Sequence, residues 1–214
     1  MRKGIRGTTI LILLVLMGAF LFAQPQTKSP TDQELIDNGF KKLGGGNLAG
    51  AVGDFTKAIQ LNPQNSSAFL GRALARKLLN DLNGALQDCN DALKFWKSPP
   101  PPWAVYQLRA SIKMGSDDLS GALADYNDAI ALNGERADLY YCRGNLKVLL
   151  EDLPGSLQDY DKAISLKGDY PQAFYERGMA KIKGKQVREG CLDLIKARDM
   201  GLADAGEMII KYCP

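Results

Sequence analysis

Five carboxylates recur along the chain: Asp54, Asp88, Asp125, Asp159 and Asp193. Each stands just before a large apolar residue. A row of acids is what a metal site or acid–base catalysis would draw on. A catalytic site should be unique, however, and this feature repeats. Four arginines repeat with it, Arg72, Arg109, Arg143 and Arg177, and Asn38 stands at the corresponding first place. The planar guanidinium can hold a carboxylate by two hydrogen bonds. The two rows are therefore expected to pair, within a repeat or with the preceding one. A second basic row comprises Lys42, Arg76, Lys113, Lys147 and Lys181. It could serve an acidic partner or nucleic acid. The reading preferred here is a solvated ridge balanced by Asp81, Asp118 and Asp152 at nearby turns, because no aromatic residues interleave with it.

The remaining chemistry is sparse. The chain has no histidine, which removes the usual general base, metal ligand and proton shuttle. It has no nucleophile elbow and no glycine-rich phosphate loop before a helix. Gly44-Gly45-Gly46 reads as a turn, with no lysine at P-loop spacing. The four cysteines form no CxxC pair. No enzyme activity, cofactor or metal is expected. The chain holds 27 basic and 24 acidic side chains, and the first 23 residues account for three of the basic and none of the acidic. The rest carries 24 of each, so no whole-molecule field draws in nucleic acid or anionic lipid. A 45% apolar content excludes a disordered chain.

The elements that must position these residues follow from their period. Ala58, Ala92, Ala129, Ala163 and Ala197 lie 34, 37, 34 and 34 residues apart. Seven residues before each is a small residue: Ala51, Ala85, Ala122, Ser156 and Gly190. Three before each is a larger one: Phe55, Cys89, Tyr126, Tyr160 and Leu194. A third small set is Gly39, Ala73, Ala110, Gly144 and Gly178, with Leu35, Phe69, Tyr106, Tyr140 and Phe174 four residues ahead. Spacings of 3, 4 and 7 keep such residues on one helical face. Each unit thus reads as two helices joined by a turn, followed by a residue of buried type: Leu48, Leu82, Leu119, Leu153 and Val187. One pair cannot bury its apolar face alone, so the units must stack.

This pattern resembles the tetratricopeptide repeat family, of the exported bacterial type. The 34-residue period, the small–aromatic–small spacing and Leu61-Asn62-Pro63 closing the first unit carry the resemblance. It implies an all-α solenoid with units at 32–65, 66–99, 103–136, 137–170 and 171–203. Arg198 departs from the pattern, since Ile59, Leu93, Ile130 and Ile164 hold that place elsewhere. The family binds an extended peptide or partner helix on a concave face lined by the first helices. Carried over by position, the expected lining is Ile36 and Phe40; Leu70, Leu74 and Lys77; Gln107, Ser111 and Met114; Tyr141, Asn145 and Val148; and Tyr175, Met179 and Ile182. The basic clamp of chaperone-binding members is not supported: Asn145 fits one position, but the flanking lysines are missing.

The two ends carry their own signals. Arg2, Lys3 and Arg6 precede an apolar run to Phe22, and Ala23 precedes a polar segment. This is the layout of a signal peptide at 1–23, cleaved after Ala23, with a polar linker at 24–31. The rival is an uncleaved membrane anchor, for which 17 uncharged residues from Gly7 to Ala23 fall short of about 20. Leu202, Ala205, Met208, Ile209 and Tyr212 fit a short amphipathic helix capping the array, within a segment 204–214. Cys89 reads as a core thiol, and Cys142 has no evident partner. Cys191 either packs in the core or bonds Cys213 on the cap, which an oxidising compartment permits. Prolines 99–102, between Trp96 and Trp103, read as a rigid connector, with polyproline recognition the alternative. The expected function is an exported, non-enzymatic protein-interaction scaffold, in the periplasm or outside the cell. Its partner would be a protein or peptide, not nucleic acid or, after cleavage, membrane. The alternative is a membrane-tethered assembly factor.

Overall fold

A computed structural model describes residues 29–97 and 103–213. The signal segment, its cleavage point, most of the linker and the proline run lie outside the described residues. Met1–Thr31 and Asp32–Pro214 form two separate units; the second carries all the described helices. Among the described residues there are eleven helices and no strand. They are α1 Asp32–Gly44, α2 Leu48–Leu61, α3 Ser66–Leu78, α4 Leu82–Lys94, α5 Trp103–Gly115, α6 Leu119–Leu132, α7 Ala137–Leu149, α8 Leu153–Leu166, α9 Pro171–Lys183, α10 Val187–Asp199 and α11 Asp204–Tyr212. No described helix is long and apolar enough to cross a membrane.

Each helix pair forms for a local reason that recurs. The turn within a pair passes through a left-handed residue: Gly46, Asn80, Asp117, Glu151 and Lys185 all have φ between 62° and 78°. The next residue caps the second helix. Asn47, Asp81, Asp118 and Asp152 accept from the backbone N–H of Gly50, Gly84, Gly121 and Gly155. A Cβ on any of these four glycines would collide with the capping side chain. In the last pair Gln186 makes no such side-chain bond, and Glu189 stands where the others have glycine.

The small and large residues of the period pack as their spacing requires. Ala58, Ala92, Ala129, Ala163 and Ala197 are fully buried, as are Phe55, Cys89, Tyr160 and Leu194, with Tyr126 nearly so. Gly178 and Gly190 bring α9 and α10 closest: a Cβ on either would lie 2.6–2.8 Å from the other's carbonyl oxygen. Ile59 packs against the cores of both the first and second pairs, so the residue after the signature alanine links neighbours. Arg198 occupies that place where no further pair follows, and it lies exposed in an ion pair with Asp199. The short α11 covers the end of the array and buries Ala205. Cys191 and Cys213 are joined by a disulfide, with Cα atoms 5.8 Å apart.

One expectation about the turns needs correction. Leu48, Leu82, Leu119 and Leu153 are only half-buried, and Val187 is 37% exposed. Each is the first residue of its helix, at the edge of the pair rather than inside it.

Candidate partner-binding face

The recurring charges are structural. Arg72, Arg109, Arg143 and Arg177 each hold the aspartate sixteen residues on, within the same pair, through both Nε and Nη2. In the Arg143–Asp159 pair these distances are 2.9 and 2.6 Å. The third nitrogen, Nη1, reaches back to the preceding pair, donating to Thr56, Asn90, Asn127 and Asp161 respectively. Each guanidinium also lies 5.3–5.6 Å from the ring three residues earlier: Phe69, Tyr106, Tyr140 or Phe174. The first pair has Asn38 and Leu35 at these places, so the arginine and its ring are absent together.

The second basic row is corrected by the structure. It is not a ridge balanced by the turn aspartates. Lys42, Arg76, Lys113, Lys147 and Lys181 contact the same core aspartates at 2.6–2.9 Å. Asp118 and Asp152 are engaged as helix caps, and Asp81 divides itself between its cap and a 3.5 Å contact to Arg76. Asp88, Asp125, Asp159 and Asp193 therefore each sit between two cations. A buried charge is tolerable only when paired and hydrogen-bonded. Among the described residues no buried side-chain nitrogen or oxygen lacks a partner, and no group of three His, Cys, Asp or Glu could hold a metal.

With these charges consumed, the inner face remains. First helices of adjacent pairs touch, α1 with α3, α3 with α5 and α7 with α9, whereas second helices make no comparable contact. The array therefore curves with first helices inside. Of the expected lining residues, Ile36 is the exception: at 2% exposure it lies in the first core, packed with Leu35 and Phe55. Buried there among residues of the first three helices, it leaves no surface for a partner. Phe40 is 42% exposed and sets its ring against Phe55, centroids 5.0 Å apart.

The other lining residues are half-buried, but several are engaged. Leu70 and Met114 pack against the second and third cores. Gln107 donates to Asp138 and Ser111 to the carbonyl of Leu108. Asn145 accepts from the buried Tyr160 hydroxyl at 2.7 Å. Tyr141 lies against Tyr160 and Tyr170. Leu74, Lys77, Tyr175, Val148, Met179 and Ile182 leave part of their side-chain surface toward solvent. Asp138 is held below its usual pKa: burial would raise it, but hydrogen bonds from Arg136 and Gln107 outweigh that.

Val148, Met179 and Ile182 meet Tyr212 of α11 around a cavity of about 510 Å³. Glu176 and Lys183 also line it. Sequence reasoning missed Glu176, because no acid recurs regularly at its place: Asp37, Gly71, Leu108 and Cys142 stand there in the four preceding pairs. Burial raises the pKa of Glu176. The two free thiols lie elsewhere: Cys89 is buried, its pKa pushed up to about 12 by burial, and Cys142 packs with Tyr126.

No protein-family model matches the chain. A stretch of 63 residues is 39% identical to tetratricopeptide repeat protein 36 of Xenopus tropicalis, spanning 29% of this chain and 31% of that protein. The structure is similar to that of MamA, with a TM-score of 0.68 and 23% identity, over 81% of this chain and 97% of that one. It is also similar to YrrB, described as a TPR protein with an unusual peptide-binding site. There the TM-score is 0.68 at 16% identity, over 83% of this chain and 91% of that one. These likenesses establish the fold as the tetratricopeptide-repeat solenoid.

Proposed function

We propose that this chain, a tetratricopeptide-repeat protein by its residues and its fold, is a non-enzymatic scaffold that holds an extended peptide or partner helix along its inner face. One observation carries the reading: the recurring charges close on one another, while Leu74, Val148, Met179 and Ile182 remain half-exposed along the first helices. An apolar surface with a few polar groups suits side-chain packing on another polypeptide. The basic start, the apolar run and Ala23 support export, and a Cys191–Cys213 bond suits an oxidising compartment. The scaffold is thus placed by proposal in the periplasm or outside the cell, and a membrane-tethered form is the alternative. Membrane fractionation with N-terminal sequencing separates the two.

The binding test is affinity capture from native extract with the wild type and a Leu74→Ser/Tyr141→Ser variant, both checked for helicity. Loss of the captured proteins from a folded variant is the expected result. Recovery of the same proteins would exclude the inner face as their site.

A further inference from the structure

The cavity at the C-terminal end of the inner face differs from the rest of the array. Its walls are apolar: Val148 from α7, Met179 and Ile182 from α9, and Tyr212 from α11. Its volume of about 510 Å³ lies within the usual range for ligand sites, about 300–1,000 Å³. Glu176 lines it and forms no ion pair among the described residues. Every core aspartate of the array, by contrast, contacts at least one cation. Lys183 stands two turns further along α9, in the lining of the same cavity. Other negative charge gathers at this end, since Glu176, Asp204 and Glu207 all act on the Tyr175 phenol. Asp37 holds this place in the first pair but is exposed, whereas Glu176 is half-buried, and a half-buried carboxylate is costly unless something pairs with it.

We infer that this cavity receives a lysine or arginine side chain of the bound polypeptide, its aliphatic stem against Met179, Ile182 and Tyr212 and its charge on Glu176. Long basic side chains lay their methylene stems along apolar surface while the charged end finds a polar partner. A cation on a carboxylate also gives a stronger hydrogen bond than a neutral pair. The Tyr212 ring contributes apolar contact to the stem, since Lys211 already lies over it at 5.0 Å. The disulfide anchors Cys213 beside Tyr212, so the third wall is tied to α10 through Cys191.

The inference rests on the inner-face reading above, and its test separates the two. A phage-displayed library of random nonapeptides is selected on the full chain. Enriched peptides are synthesised with a fluorescent label, and binding is measured by anisotropy. The expected winners share a lysine or arginine at a fixed register. Replacing it with norleucine should weaken binding to the wild type about tenfold, but to Glu176→Gln by less than about twofold. Thermal melting confirms that the variant is folded. Winners without a shared basic residue, or an equal loss in both proteins, would overturn the cavity's role and leave the inner-face reading standing. Winners indifferent both to Glu176→Gln and to Leu74→Ser/Tyr141→Ser would overturn both. So would a selection that enriches nothing.

Discussion

Asp125 carries its charge where water hardly reaches it, between Arg109 and Lys113. Removing one member of such a cluster leaves buried charge uncompensated, which costs about 3–5 kcal/mol. Asp125→Ala is expected near the lower end, because both cations are partly exposed and can regain water. Chemical denaturation should show that loss, whereas Asp128→Ala on the exposed side of the same helix should change stability by less than about 0.5 kcal/mol. Equal effects would contradict the clamp. Glu176 makes the opposite prediction. Burial raises its folded pKa above the ordinary 4.5; the phenols it acts on, Tyr141, Tyr160 and Tyr175, carry no charge at neutral pH, and Lys183 lines the same cavity two turns away. A raised folded pKa gives stability that is full below the unfolded value and lost as pH rises through the folded one. Glu176→Gln should therefore raise the melting temperature at pH 7 and change it little at pH 4. The sequence made the arginine–aspartate pairing legible because both rows share one period. It misplaced the lysine row, because the turn aspartates looked available. Their capping role depends on glycine three residues later, a pattern that spacing alone did not bring out. Glu176 was hidden for the opposite reason, since three of the four preceding pairs carry no acid at its place.

The helix pairs follow from the small residues, and the periodic alanines located every one of them. The left-handed turn residues were less legible: Gly46 and Asn80 suit that conformation, but Asp117, Glu151 and Lys185 give no such signal. Ile36 was assigned to the inner face by position, yet it is buried in the first core with residues of α1, α2 and α3. The cap was readable from the spacing of Ala205, Met208, Ile209 and Tyr212. Its disulfide spans a separation of 22 residues, which the chain-entropy account values at about 3 kcal/mol. Cys213→Ser should lower stability by about that amount. Hydrogen exchange should then accelerate in α11 first, because α11 packs on α10 and on no later pair. Unchanged exchange in α11 would mean that the covalent link is not what holds the cap.

Stacked pairs transmit stability only between neighbours. In this array Nη1 of Arg72, Arg109, Arg143 and Arg177 supplies a polar link at each junction between pairs. The same arrangement leaves the inner face free of recurring charge pairs and open to another chain. A photoreactive benzoylphenylalanine tests this most directly, placed singly at positions 74 and 179 on first helices and at 57 and 162 on second helices. The full chain is irradiated in the cells that make it. Adducts with another polypeptide are expected from 74 and 179 and not from 57 and 162. Adducts from the second-helix positions alone, or equally from all four, would contradict the account.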